Sequence, residues 1–120
     1  MNLVVIRGRL TKDPEVNEVI TKVGKRVHVA HFTVAVNDPS RDTQFVDCLA
    51  WSNLAKIVGK HLSKGNEALF TGRLLMRTEK QDDGKYRKFA EVEVDEVEFL
   101  GTKNELAEDS KEHLAHHTAS

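Results

Sequence analysis

The chain has 120 residues, 39% hydrophobic and 31% charged, with 18 Lys and Arg against 19 Asp and Glu and a formal net charge of -1. That length suits one domain, and the mix is that of a folded chain rather than a disordered one. A single cysteine excludes an intramolecular disulfide framework and suits a reducing compartment, and no apolar run reaches the ~20 residues of a membrane span.

Met1 leads straight into an alternating pattern, so no secretory or transit peptide is expected. Val4, Ile6, Gly8 and Leu10 share one face of a first strand; Val5, Arg7 and Arg9 share the other. Thr11 to Glu15 reads as a turn around Pro14. Residues 17–26 show no clean period, although Gly24-Lys25 suits a hairpin tip. Val27 to Val36 is a strong strand with Phe32, Val34 and Val36 on one face, and Asn37 to Asp42 is a loop by composition. Phe45 to Trp51 is the third strand. Leu54, Ile57, Val58, His61 and Leu62 then follow helical spacing, with Ser52 or Asn53 to cap the start and Gly65 to stop the end. Glu67 to Arg77 returns to strand, with Ala68, Phe70, Gly72, Leu74 and Met76 on its apolar face. Asp82-Asp83-Gly84 marks a hairpin turn, and Tyr86 to Leu100 is the last strand, its alternation slipping at Asp95-Glu96 as at a bulge. Five strands with one helix between the third and fourth is the order of an all-β OB-fold, a partly open Greek-key barrel. Residues 1–102 form that domain in this reading, and 103–120 a short flexible tail.

The third strand carries the sharpest chemical signal. Val46, Cys48 and Ala50 suit a crowded interior, which turns Phe45, Asp47, Leu49 and Trp51 outward. Phe45 and Trp51 then share the solvent face, roughly 20 Å apart. Such exposure is costly unless something covers the rings, and stacked bases do so without a sequence code; a subunit interface would also cover them. Thr71, Arg73 and Arg77 point away from the apolar face of the fourth strand, and Lys80, Lys85, Arg87 and Lys88 flank the next turn. Cations beside exposed rings make a groove that follows phosphates. Arg7, Arg9 and Lys12 could line the same path or an interface. Residues 1–102 hold 16 basic and 15 acidic side chains, but Glu91, Glu93, Asp95, Glu96 and Glu98 crowd one strand, so a basic face and an acidic face can coexist at zero sum. The simplest role for Glu91, Glu93 and Glu98 is to solvate that strand.

Catalysis has little support. No nucleophile elbow, phosphate loop or zinc-protease motif is present. Cys48 faces inward, where a thiol stays neutral. His28 and His31 face opposite ways on a strand, and no Cys/His set has zinc spacing. No metal or cofactor is expected.

The blocks "NLVVIRGRLTKDPEV", "FTVAVN", "FVDCLAW", "HLSKG", "GRLLMR", "DDGKYR" and "VEFL", in that order, resemble bacterial single-stranded DNA-binding proteins over residues 1–100. The resemblance implies an OB-fold protomer, a homotetramer, a cytoplasmic, nucleoid-associated location and sequence-tolerant binding of single strands in DNA replication, recombination and repair. It places Phe45 and Trp51 at two base-stacking positions and Arg77 at a basic one. The chain departs from the family pattern in three places. Asn37 to Arg41 holds no aromatic, Glu79 stands where the family has Trp or Tyr, and no acidic Pro-Phe ending closes the chain. These departures imply weaker or shorter binding, make recruitment of replication and repair proteins doubtful, and suit a phage, plasmid or other accessory version. The rivals are a primosome-type OB scaffold, which need not keep exposed rings, and an OB module that binds only protein, which predicts no salt-dependent binding to DNA.

Overall fold

A computed structural model describes residues 1–100; the proposed tail falls outside them. The strands are β1 (Val4–Leu10), β2 (Glu15–Ile20), β3 (Arg26–Val36), β4 (Gln44–Trp51), β5 (Glu67–Lys80) and β6 (Tyr86–Leu100), with helix α1 (Ser52–His61) between β4 and β5. The strand count is therefore six rather than five. The extra strand is β2, which pairs with β3 from Glu15↔His31 to Ile20↔Arg26. It lies at the end of the sheet order β1-β5-β6-β4-β3-β2, and its burial pattern is nearly all exposed. With little to bury, it shows little alternation in sequence.

The two hairpin tips share one frame. In the β2–β3 tip, Thr21 N–H donates to Lys25 O at 2.8 Å and Gly24 N–H to Thr21 O at 2.9 Å. In the β5–β6 tip, Gln81 N–H donates to Lys85 O at 2.7 Å and Gly84 N–H to Gln81 O at 2.9 Å. Both glycines adopt positive φ, 80° and 84°, which a Cβ disfavours.

The sheet closes on itself through Arg9↔Ala35 and Leu10↔Val34 between β1 and β3, and through the parallel pairs Cys48↔Val92 and Leu49↔Glu93 between β4 and β6. The interior holds Leu10, Ala30, Phe32, Val34, Cys48, Ala50, Ala68, Phe70, Val92, Val94 and Val97. Phe32 and Phe70 meet at 5.4 Å between ring centres. Ala55, Val58 and Leu62 of the helical segment seal this core. The bulge falls where the alternation slips: Thr71 faces Glu96 and Gly72 faces Val94, so Asp95 is the extra residue.

Several local expectations need correction. Leu74 and Met76 are 41% and 59% exposed, although they continue the apolar face of Ala68 and Phe70. β1 pairs with β5 only as far as Gly72, so the later residues project beyond the core on a long β5–β6 hairpin. Leu49 is only 5% exposed despite its outward parity, because His31 and Glu93 flank it in one cross-strand row. Neither Ser52 nor Asn53 caps α1. Trp51 occupies the cap position with no side-chain hydrogen bond, and Ser52 turns the chain with a left-handed φ of 59°. Gly65 does not end the helix, which stops at His61; it sits in the next turn, where Asn66 N–H donates to Ser63 O at 3.0 Å.

Candidate nucleic-acid interface

The outer face of the β3–β4 pair is set by register. Its rows are Val29↔Trp51, His31↔Leu49, Thr33↔Asp47 and Ala35↔Phe45. Cys48 and Ala50 are buried on the opposite side, which forces the odd positions of β4 outward. Phe45 is 67% exposed and Trp51 42%. Two large rings thus stand at the ends of one strand face, with Asp47 and Leu49 between them. Trp51 is the more fixed, because it is also the residue from which α1 starts.

Two basic candidates from the N-terminal end reach the same face. Arg9 pairs with Ala35, which pairs with Phe45, so the three form one row. The Arg9 guanidinium donates to Gly65 O at 2.9 Å and lies 3.9 Å from the Glu67 carboxylate. Lys12 lines a hollow of about 220 Å³ beside β4, together with Glu15, His31, Thr33, Asp47 and Glu91.

Arg73 and Arg77 enter from β5 by way of β6. The row Leu49, Glu93, Arg73 is continuous across three strands. Both arginines are engaged by acids. Arg73 donates to Glu93 Oε1 at 3.0 and 2.8 Å. Arg77 donates to Glu91 Oε1 at 3.0 Å and also to Glu79. The bond to Glu91 leads the causes that raise the Arg77 pKa above its ordinary value. Glu91 and Glu93 therefore do more than solvate a strand: they hold the cations of the neighbouring one. Lys80, Lys85 and Arg87 lie exposed at the far end of the β5–β6 hairpin, where Lys80 faces Tyr86 and Glu79 faces Arg87.

Sequence reasoning missed Phe89. Two guanidiniums approach its ring, Arg77 at 4.9 Å and Arg87 at 5.1 Å from the ring centre, a favourable arrangement for cation and π-face. The available signal was parity, since Phe89 shares a face of β6 with Arg87, Glu91 and Glu93.

Burial pushes the Cys48 thiol up to about 12, with Asp47 and Glu91 adding to the shift, so it carries no nucleophilic thiolate near neutral pH. No group of three His, Cys, Asp or Glu side chains among these residues could hold a metal ion, and no helix among them is long and apolar enough to cross a membrane.

Comparison with known proteins agrees with this geometry. The model of the single-strand binding protein family matches residues 1–100. "Single-stranded DNA-binding protein 2" of Listeria monocytogenes is 40% identical over 90% of this chain and 69% of its own length. "Single-stranded DNA-binding protein 1" of Clostridium acetobutylicum is 34% identical over 88% of this chain and 98% of its own. "Single-stranded DNA-binding protein 1" of Staphylococcus aureus is 38% identical over 87% of this chain and 64% of its own. A six-stranded closed sheet with one helix, two rings on one open strand face and a family match across every described residue lead to one assignment: the chain belongs to the single-strand binding protein family.

Proposed function

We propose that the protein binds single-stranded DNA without a fixed sequence and protects it during replication, recombination and repair. The observation that carries this reading is the pair Phe45 and Trp51, both open to solvent on one face of β4. Rings so placed stack on bases of any identity, while neighbouring cations follow the phosphates. Arg9, Lys12, Arg73, Arg77, Lys80, Lys85 and Arg87 supply those cations. The role is binding, not catalysis, in the cytoplasm with the nucleoid. Residues 1–102 serve as the DNA-binding domain.

Titration of a mixed-sequence oligonucleotide against Trp51 emission tests the reading, with duplex as competitor. Strong quenching that duplex does not reverse is expected; an unchanged emission overturns it. We infer a homotetramer from family membership and from Leu3, Val5, Leu74 and Met76, whose exposed apolar side chains offer area for contact between copies. Light scattering of the free protein measures that stoichiometry.

A further inference from the structure

We propose that Tyr86, flanked by Lys80 and Lys88, is a further base-stacking site for single-stranded DNA, on the face of the β5–β6 hairpin turned away from Arg77 and Phe89. The inference rests on the single-strand reading above and adds a contact to it. Alternation puts Met76, Thr78 and Lys80 of β5 on one face with Tyr86, Lys88 and Ala90 of β6, paired as Met76↔Ala90, Thr78↔Lys88 and Lys80↔Tyr86. Arg77, Glu79, Arg87, Phe89 and Glu91 share the other face.

The two faces differ in charge. On the second, Glu79 and Glu91 hold Arg77, so a phosphate must compete for it. On the first, each of those six side chains is neutral or basic. Tyr86 is 71% exposed. Lys80 stands directly opposite it, and Lys88 lies two residues along, roughly 7 Å away. The hydroxyl keeps the free ring compatible with water while its flat face stays open to a base. A ring with a cation on either side selects a polyanion that carries flat groups, which describes unpaired DNA. A second copy docked face to face would set these lysines against their own counterparts, a like-charge contact. Leu74 and Met76, assigned to contact between copies, lie nearer the barrel; Met76 is four residues, roughly 13 Å, from Lys80.

The same hairpin continues the candidate interface. The row Leu49, Glu93, Arg73 leads from β4 onto its outer face. β1 pairs with β5 only as far as Gly72, and β4 meets β6 only at Val92 and Glu93. From Met76 and Ala90 outward the described hairpin is a ribbon of two strands, about 5 Å apart. A flexible single strand that follows Arg73 and Arg77 can cross the edge of so narrow a ribbon and lay its next bases on Tyr86. A duplex is too stiff to do so.

The test measures binding of a long thymidine homopolymer to wild-type protein, Tyr86→Ala and Tyr86→Phe, with Trp51 emission as the signal. Tyr86→Ala is expected to weaken binding about fivefold or more, the low end of stacking in single-strand binders. Tyr86→Phe, which keeps the ring, should stay within about twofold. Lys80→Gln and Lys88→Gln together should lower the slope of log affinity against log salt by about 1.4, two phosphates at ~0.7 each. Equal affinities of wild type and Tyr86→Ala overturn the inference, and so does an equal loss in Tyr86→Ala and Tyr86→Phe. A changed particle mass of Tyr86→Ala by light scattering overturns it too, because the ring then covers another copy. Should Tyr86→Ala fail to fold, a strand carrying 5-iododeoxyuridine, irradiated on the wild-type protein, decides the matter. Cross-linking to the peptide that holds Tyr86 supports the contact; cross-linking only elsewhere overturns it. Failure of the wild type to bind the homopolymer at low salt would instead defeat the single-strand reading.

Discussion

The guanidinium of Arg77 lies over the Phe89 ring, 4.9 Å from its centre, while its Nε holds Glu91 at 3.0 Å. Arg73 is held the same way by Glu93. A phosphate reaching either arginine must displace a carboxylate rather than a counterion.

The consequence is measurable. Glu91→Gln and Glu93→Gln should each tighten binding at low salt and steepen its salt dependence. A freed arginine that meets a phosphate adds about 0.7 to the slope of log affinity against log salt for a single strand. Oligonucleotide anisotropy at several salt concentrations gives that slope. Exposed ion pairs of this kind lend little to stability, so melting of the two variants should stay near wild type.

Phe45→Ala should weaken single-strand binding by about 1–3 kcal/mol, a range set on single-strand binders themselves, and leave the fold intact because the ring faces water. Trp51→Ala should cost a similar amount of affinity and some stability as well, since Trp51 starts α1 and is more than half covered. Anisotropy titration with thermal melting separates the two effects.

Gly59 sits inside α1, where Ala normally gains about 1 kcal/mol. Here a Cβ would stand 2.5 Å from a methyl of Val16 on β2, and Val is stiff about its first torsion. Overpacking costs about 1–3 kcal/mol, so Gly59→Ala should destabilise by about 1 kcal/mol. In a Val16→Ala background the same change should stabilise. Urea denaturation of the four proteins completes the cycle.

The Cys48 thiol is pushed up to about 12 in the fold, against ~8.5 when the chain is unfolded. Between those values the unfolded state gives up its proton and the folded state keeps it, so stability falls as pH rises. The loss approaches about 1.4 kcal/mol per pH unit. Cys48→Ala should show a flatter decline between pH 9 and 12 by denaturant melts. Thiol reagents should modify the native protein far more slowly than the protein in urea.

Much of this was legible beforehand, for physical reasons that differ by residue. Ala68, Phe70, Phe32 and Val34 alternate because one face of each strand is buried, and burial writes period two into sequence. The bulge at Asp95 left two adjacent polar residues as its trace. β2 left almost none, because an exposed end strand needs no apolar face. The exposure of Leu74 and Met76 depends on where β1 stops pairing with β5, a long-range fact that alternation does not carry. At the candidate interface, the solvent side of Phe45 and Trp51 followed from parity with Cys48. The ion pairs of Arg73 and Arg77 did not, since Glu93 and Glu91 lie 20 and 14 positions away in the chain. Register brings them together, and the bulge shifts that register by one.

The closed sheet is unevenly sewn. Eight register pairs join β3 to β4, while two join β4 to β6 and two join β1 to β3. Thermal breathing begins where the fewest bonds must break, so the wall parts first along those short seams. One of them runs between the strand that bears Phe45 and Trp51 and the strand that bears Glu91 and Glu93. Opening there moves the rings away from the acids while their own two-strand ribbon stays whole.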